Sequence, residues 1–336
     1  MKNKLICLFG LLLLMASCTR NKNEVVIYCS LDKMYSEPIL KDFEKESGIK
    51  VKAVYDTELT KTVGLVNRII AEASNPQCDV FWNNEISRTI LLQEKNQLQP
   101  YPSPSAFDIP SKYKDSLGYW AGFAARARII IYNKSKCDKD DLPSSMLDLS
   151  KEKWKGKAAL AYPLFGTTAT HAATLFSEYG NDWAMDFFES LIENEVGILD
   201  GNATVRDRVV SGAYYWGFTD TDDANGAIED GKNVGIIYPD QKDDEMGMLI
   251  IPNTIALIKG APNQENGKLL IDFILQPETE KILALARSAQ IPLRPMTNVP
   301  KNVIMLDSVK QMEVDFYEVC GQLNESSVKL GKLFIK

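Results

Sequence analysis

Histidine is nearly missing from the 336 residues, His171 being the single example. Metal chelation by paired histidines is thereby excluded, and Ser-His-Asp chemistry finds little support; His171 is expected to be a satisfied helix residue. Positive charge is also short. Lys and Arg total 38 against 45 Asp and Glu, a net charge of −7, so no broad basic surface exists to neutralise a phosphate backbone, and nucleic acid is not an expected partner. No cysteines stand in C-x-x-C spacing, which argues against a zinc site. GxSxG, HExxH, a complete P-loop and a Rossmann fingerprint are lacking; we expect no enzyme and no cofactor. No apolar run approaches the roughly 20 residues of a membrane span, and nothing repeats at 20 to 50 residues, so this is no solenoid.

What is present is globular: 45% hydrophobic and 25% charged residues, over a length fitting one large or two ordinary domains. Lys2 and Lys4 precede an eleven-residue apolar run, Leu5 to Met15, followed by Ala16, Ser17 and Cys18, which reads as a signal peptide over 1–17. Leu14-Met15-Ala16-Ser17-Cys18 resembles a lipobox, making Cys18 the lipidated N-terminus; ordinary secretion with Cys18 as a stray thiol is the alternative. Cleavage removes two lysines and no acid, leaving 36 basic and 45 acidic residues, net −9. Residues 18–24 read as a polar tether, with the fold starting near Val25. Cys29, Cys78, Cys137 and Cys320 remain, as buried free thiols or as disulfides.

Val25 to Tyr28 is a β-branched run fit for a buried strand, followed by a helical pattern with Ile39, Leu40 and Phe43 on one face, capped by Ser36 and ended by Gly48. Ile49 to Tyr55, a helix around Leu65, Val66, Ile69, Ile70 and Ala73, and Asp79 to Trp82 continue the alternation. It predicts parallel strands with helices on both faces. After the proline-bearing stretch 100–110, strands are predicted at 119–125 and 129–132, with a crossover to a second lobe. Strand 158–161, helices 168–179 and 183–192, strand 196–199, helix 203–210 and strand 214–219 follow. Residues 248–251 and 255–258, flanking Pro252, read as the return to the first lobe. A last helix is predicted by Val309, Met312, Phe316, Val319 and Leu323.

Tyr28-Cys29-Ser30, Phe43 to Val51, Gly64 to Glu72 and Asp79 to Glu85 resemble the start of extracellular solute-binding proteins of ABC importers. The likeness is to the ferric-iron-binding branch, whose relatives take thiamine, phosphonates and sugar phosphates. Gly122 to Arg128, Pro163 to His171, Thr219 to Ala224 and Ala289 to Arg294 extend it over nearly the whole mature chain. The resemblance implies an α/β, two-lobed type II periplasmic-binding-protein fold, each lobe a mostly parallel sheet flanked by helices, hinged about a cleft. The lobes would comprise 25–120 with 248–295 and 121–247 with 296–336. The implied partners are a small-molecule or ion ligand and permease transmembrane subunits. A monomer is expected, held to a bacterial membrane through its lipid anchor only and facing the periplasm or cell exterior.

In ferric-binding members a histidine, a glutamate and a tyrosine pair hold the metal, typically with an anion. Those positions fall here on Asp32, on Asn84-Glu85 and on Thr221-Asp222, with Tyr214-Tyr215 nearby but inside a predicted strand. Carboxylates alone suit hard cations or an ammonium group; under a metal reading Asp32, Glu85 and Asp222 would be the ligands. Asp220, Asp222 and Asp223 form an acidic turn after a predicted strand, either as solvated helix caps or as ligand contacts. Carboxylates this close need a cation, an arginine or water to relieve them. Gly166-Thr167-Thr168 opens a helix suited to donating N–H groups to an anion, as does Asn202-Ala203-Thr204, although ordinary capping uses the same residues. Arg126 and Arg128 alternate with small residues and share one face. Tyr28, Ser30, Trp82, Trp120 and Tyr215 complete the candidates for the cleft. The preferred ligand is an anionic or zwitterionic organic oxyanion, phosphonate or phosphate ester; the alternative is ferric or another metal ion. A sensor or adhesin would be expected to carry an additional module.

Overall fold

A computed structural model describes residues 23–56, 62–296 and 298–335. The signal peptide, Cys18 and most of the tether lie outside the described residues, and the tether's last residue, Glu24, already belongs to a strand. In chain order the elements are β1 (Glu24–Cys29), α1 (Lys33–Ser47), β2 (Lys50–Tyr55), α2 (Val63–Ala71), β3 (Val80–Asn83), α3 (Ser87–Glu94), β4 (Leu98–Gln99) and β5 (Ala121–Asn133). Then come β6 (Ala158–Ala161), α4 (Gly166–Tyr179), α5 (Asn181–Glu193), β7 (Gly197–Leu199), α6 (Asn202–Val210), β8 (Trp216–Asp220), α7 (Thr221–Glu229) and β9 (Val234–Ile237). β10 (Ile250–Ile258), α8 (Gln264–Ile274), α9 (Pro277–Leu285) and α10 (Phe316–Phe334) complete the chain.

The strands follow the order β2-β1-β3-β10-β5-β8-β6-β7, with β4 added to β10 and β9 to β5. β1 pairs in parallel with β2 and β3, and β6 in parallel with β7 and β8, so each half keeps a parallel core. Two long antiparallel strands join the halves. β5 is a single strand where two were predicted: Ala121 to Ala127 pair with β10, and Arg128 to Tyr132 pair with β8. The change of partner therefore falls between Ala127 and Arg128. β10 is likewise continuous through Pro252, whose missing N–H sits at a register shift between Pro252 and Asn253. Opposite that shift Ala124 has φ +45°, and Asn253 Nδ2 donates to the Phe123 and Ala124 carbonyls at 3.2 and 3.1 Å.

Helix starts differ from the sequence expectation where capping chemistry was misplaced. α1 begins before Ser36, whose hydroxyl donates to the Leu31 and Asp32 carbonyls inside the first turns; Asp32 is the cap, and Gly48 ends the helix with φ +70° as expected. α10 begins at Phe316, because Asp315 accepts from Tyr317 N at 2.8 Å, whereas Met312 N bonds Met248 O in an extended crossing. Its buried face of Phe316, Val319, Cys320, Leu323 and Leu330 packs on α4 and α3. α3, α8 and α9 were not assigned from sequence. Cys29, Cys78, Cys137 and Cys320 are buried thiols, outside any disulfide. No helix among the described residues is long and apolar enough to cross a membrane.

Candidate functional site

A cavity of about 340 Å³ lies at the carboxyl ends of the parallel strands. Asp32 follows β1, Asn84 follows β3, Tyr162 follows β6, Asp200 follows β7 and Asp220 ends β8, and all five line it. That is where open α/β sheets present their ligands.

Two helices begin on this cavity without a capping side chain. α4 starts at Gly166, whose φ of +55° favours glycine, behind the extended Phe165; α6 starts at Asn202 behind the extended Gly201. First-turn N–H groups left uncapped keep both their hydrogen-bonding capacity and the positive end of the helix dipole for an anion. Gly166, Thr167, Thr168, Asn202 and Ala203 line the cavity. Gly217 lets α6 press this closely on β8, since a Cβ there would come within 2.4 Å of Val205 Cγ1.

Asp220, Asp222 and Asp223 bring carboxylate oxygens within 4.8 Å of one another, and each is met by an arginine. Arg128 Nη1 lies 2.6 Å from Asp220 Oδ1, Arg126 Nη1 3.2 Å from Asp222 Oδ2, and Arg206 Nη1 3.2 Å from Asp223 Oδ1. These guanidinium groups relieve the repulsion. Arg126 lines the cavity while only 3% exposed, and its Nε and Nη2 have no hydrogen-bond partner. Burial opposes its charge, but Asp222, then Asp220, Asp32 and Asp223, outweigh burial and hold its pKa above the ordinary arginine value. A buried cation with unpartnered donors beside uncapped helix starts is built to meet negative charge.

Of the residues named from sequence, Asp32, Asn84, Arg126, Gly166, Thr167, Thr168, Asn202, Asp220 and Asp222 line the cavity. The others do not. Tyr28 donates its hydroxyl to Glu72 Oε2 at 2.8 Å beneath Arg68, and Ser30 is buried away from the wall. Thr204, on α6, does not line the cavity. Glu85 is unavailable as a metal ligand: Oε1 accepts from Arg88 N at 2.9 Å, and Oε2 from Ser87 N at 2.9 Å and Thr170 Oγ1 at 2.8 Å, so it caps α3 and ties it to α4. Trp82 packs edge-on against Phe123, Trp120 donates to Gln93, and Tyr215 lies beside Lys136 and Lys157; none lines the cavity. His171 is buried against Phe218 with neither ring nitrogen hydrogen-bonded, and so is not the satisfied residue expected. Burial first, then Arg128, push its pKa well below the usual value and keep it neutral.

Sequence reasoning missed Tyr35, Tyr162, Phe165, Asp200 and Arg287 in the wall. Arg287 reaches from beyond α9 to the Gly226 carbonyl at 3.0 Å and to Asp230, joining the first half to α7. Burial, then Asp222 and Asp32, raise the pKa of Tyr35, which keeps its phenol protonated.

A profile described as bacterial extracellular solute-binding protein matches residues 86–316. The chain is 26% identical over 275 residues to "Iron uptake protein A1" of Synechocystis, covering 78% of this chain and 74% of that protein. It is 29% identical over 245 residues to a "Putative 2-aminoethylphosphonate-binding periplasmic protein" of Salmonella typhimurium, covering 71% and 68%. The solved ferric binding protein of Campylobacter jejuni shares the fold, with TM-score 0.83, 24% identity, and 93% and 100% of the two chains covered.

Proposed function

Because the chain belongs to the bacterial extracellular solute-binding proteins and serves an ABC importer in that capacity, we propose that its solute is a small organic oxyanion, preferentially a zwitterionic phosphonate or a phosphate ester. The carrying observation is the convergence of the uncapped starts of α4 and α6 with the unpartnered Nε and Nη2 of Arg126 in one cavity. The phosphonate or phosphate end would take those donors, and an amine would face the acidic side formed by Asp32 and Asp222. The relative from Salmonella typhimurium, named for an aminophosphonate, supports this reading. Closure of the two lobes would be driven by the difference in ligand affinity between closed and open states. Export over the signal segment 1–17 and a lipid tether at Cys18 belong to the same proposal, with permease subunits as partners and the chain acting as a monomer.

A ferric or other metal reading is favoured by one observation, the three carboxylates within 4.8 Å, and by the relatives named for iron. Three facing arginines oppose it. Fe(III) prefers charge-dense oxygen donors, and here each carboxylate already spends charge on a guanidinium.

Isothermal titration with 2-aminoethylphosphonate, inorganic phosphate and ferric citrate separates the two. Tightest binding of the phosphonate is expected. Metal uptake confirmed by elemental analysis, with no binding of either oxyanion, would overturn the oxyanion reading.

A further inference from the structure

We infer that Arg128, which does not line the cavity, is the positioning residue that fixes the anion-binding helix starts relative to one another; the inference rests on the oxyanion reading above. Arg128 is fully buried. Its Nη1 donates to Thr167 Oγ1 at 3.2 Å, Asn202 Oδ1 at 3.1 Å and Asp220 Oδ1 at 2.6 Å, and its Nη2 donates to Thr168 Oγ1 at 3.1 Å. Those four partners occupy the first turn of α4, the first residue of α6 and the cap position of α7. One guanidinium thus touches the starts of three helices.

The partners also bond among themselves. Thr167 Oγ1 donates to Asp220 Oδ2 at 2.6 Å, while Asn202 Nδ2 donates to Thr167 Oγ1 and to Asp220 Oδ2, each at 2.9 Å. Thr168 Oγ1 donates to Asn202 Oδ1 at 3.2 Å. The cap positions of α4 and α6 hold Phe165 and Gly201, which supply no capping side chain, while the first-turn side chains of Thr167, Thr168 and Asn202 are held in this network and leave the first-turn N–H groups free of side-chain caps. This answers the choice between capping and anion binding posed by Gly166-Thr167-Thr168: the hydroxyls turn inward to the arginine and leave the amides for the cavity. Fixed donors lose little freedom when a ligand arrives, so a rigid arrangement of the two helix starts adds affinity without touching the ligand.

A planar five-donor guanidinium can span these partners, whereas a lysine ammonium can hold only the charge on Asp220. Arg128→Lys and Arg128→Gln should therefore separate stability from affinity. We expect Arg128→Lys to recover most of the thermal stability lost in Arg128→Gln, yet to bind 2-aminoethylphosphonate or inorganic phosphate at least about tenfold more weakly than wild type, the equivalent of one charge-assisted hydrogen bond. Thr167→Val keeps the backbone N–H and the fold while removing the hydroxyl between Arg128 and Asp220, and should weaken the same probes severalfold. If Arg128→Lys restores stability and affinity together, or if Thr167→Val binds as wild type does, the positioning role is overturned. Wild-type protein that binds neither probe overturns the oxyanion reading itself, an outcome distinct from tight wild-type binding that the variants leave unchanged.

Discussion

Arg126 and Arg128 stand two residues apart on one face of β5, both nearly inaccessible and both paired with an aspartate of the same turn, yet their surroundings differ completely. Arg128 spends its terminal nitrogens on four side chains and stacks over Phe218 at 5.1 Å. Arg126 has one aspartate, a cavity in front of it and two unpartnered donors. The change of partner strand explains the difference. Arg126 lies in the stretch of β5 paired with β10, at the edge of the gap between the halves, while Arg128 pairs directly with Asp220 across the β5–β8 ladder, inside the second half. The same residue type on the same face lines the cavity on one side of the crossover and is held by four side chains on the other.

The largest expected effect is on stability, and it should fall on only one of the pair. Arg128→Met leaves Asp220 buried without its counter-charge, which costs about 3–5 kcal/mol. Arg126→Met removes the charge beside Asp222, whose side chain is 10% exposed and also accepts from Asp223 N, and it removes two donors that had no partner; we expect a change within about 1 kcal/mol. Chemical denaturation of the two variants under identical conditions checks this, and equal losses would erase the distinction. Affinity should reverse the ranking of direct contacts. Arg126→Met should weaken phosphonate binding by roughly ten- to a hundredfold, the worth of a hydrogen bond to a charged group, as measured by titration calorimetry.

The alternation of strands and helices was legible in the sequence because short apolar runs such as Val25 to Ile27 and Ala158 to Ala161 are followed by helix patterns with clear apolar faces. So was the placing of Gly166, Thr167, Thr168, Asn202, Asp220 and Asp222 on the cavity wall, since each sits at a strand end or helix start, where chain-local rules apply. What sequence could not supply was pairing across the fold. Glu85 looked like a ligand until Ser87, Arg88 and Thr170 were found to occupy it, and Arg287 reaches α7 from beyond α9. The acidic turn posed its own question about a counter-charge, but which arginine answers which aspartate depends on the register of β5 against β8. α9, not assigned from sequence, opens on Pro277 in its first turn, where the missing N–H does no harm.

His171 extends the comparison to pH. Burial and the neighbouring charge of Arg128 lower its pKa in the folded state, so the unfolded chain binds the extra proton first. Its contribution to stability is present above the unfolded value near 6.5 and is lost as pH falls below it, at up to about 1.4 kcal/mol per pH unit. Thermal unfolding from pH 7.5 to 5 should show a steeper loss for wild type than for His171→Leu. Parallel curves would mean that the imidazole does not feel the folded environment described.

The smallest effect is the most discriminating. Asp222 Oδ2 holds Arg126 Nη1 at 3.2 Å and competes with any anion for that guanidinium. Asp222→Asn keeps the shape and a hydrogen-bond acceptor but removes the competing charge, so inorganic phosphate, which has no amine to lose, should bind a few-fold more tightly, within the range of a partly exposed charge contact. A zwitterionic phosphonate gains at its anionic end what it loses at its amine, and its affinity should move less than that of phosphate, or fall. A metal ligand behaves oppositely: removing one of three clustered carboxylates weakens a cation site and leaves phosphate unimproved. Weaker phosphate binding in Asp222→Asn would therefore count against Arg126 as the anion contact and would dissolve the contrast with Arg128, because both arginines would then serve only to neutralise the acidic turn.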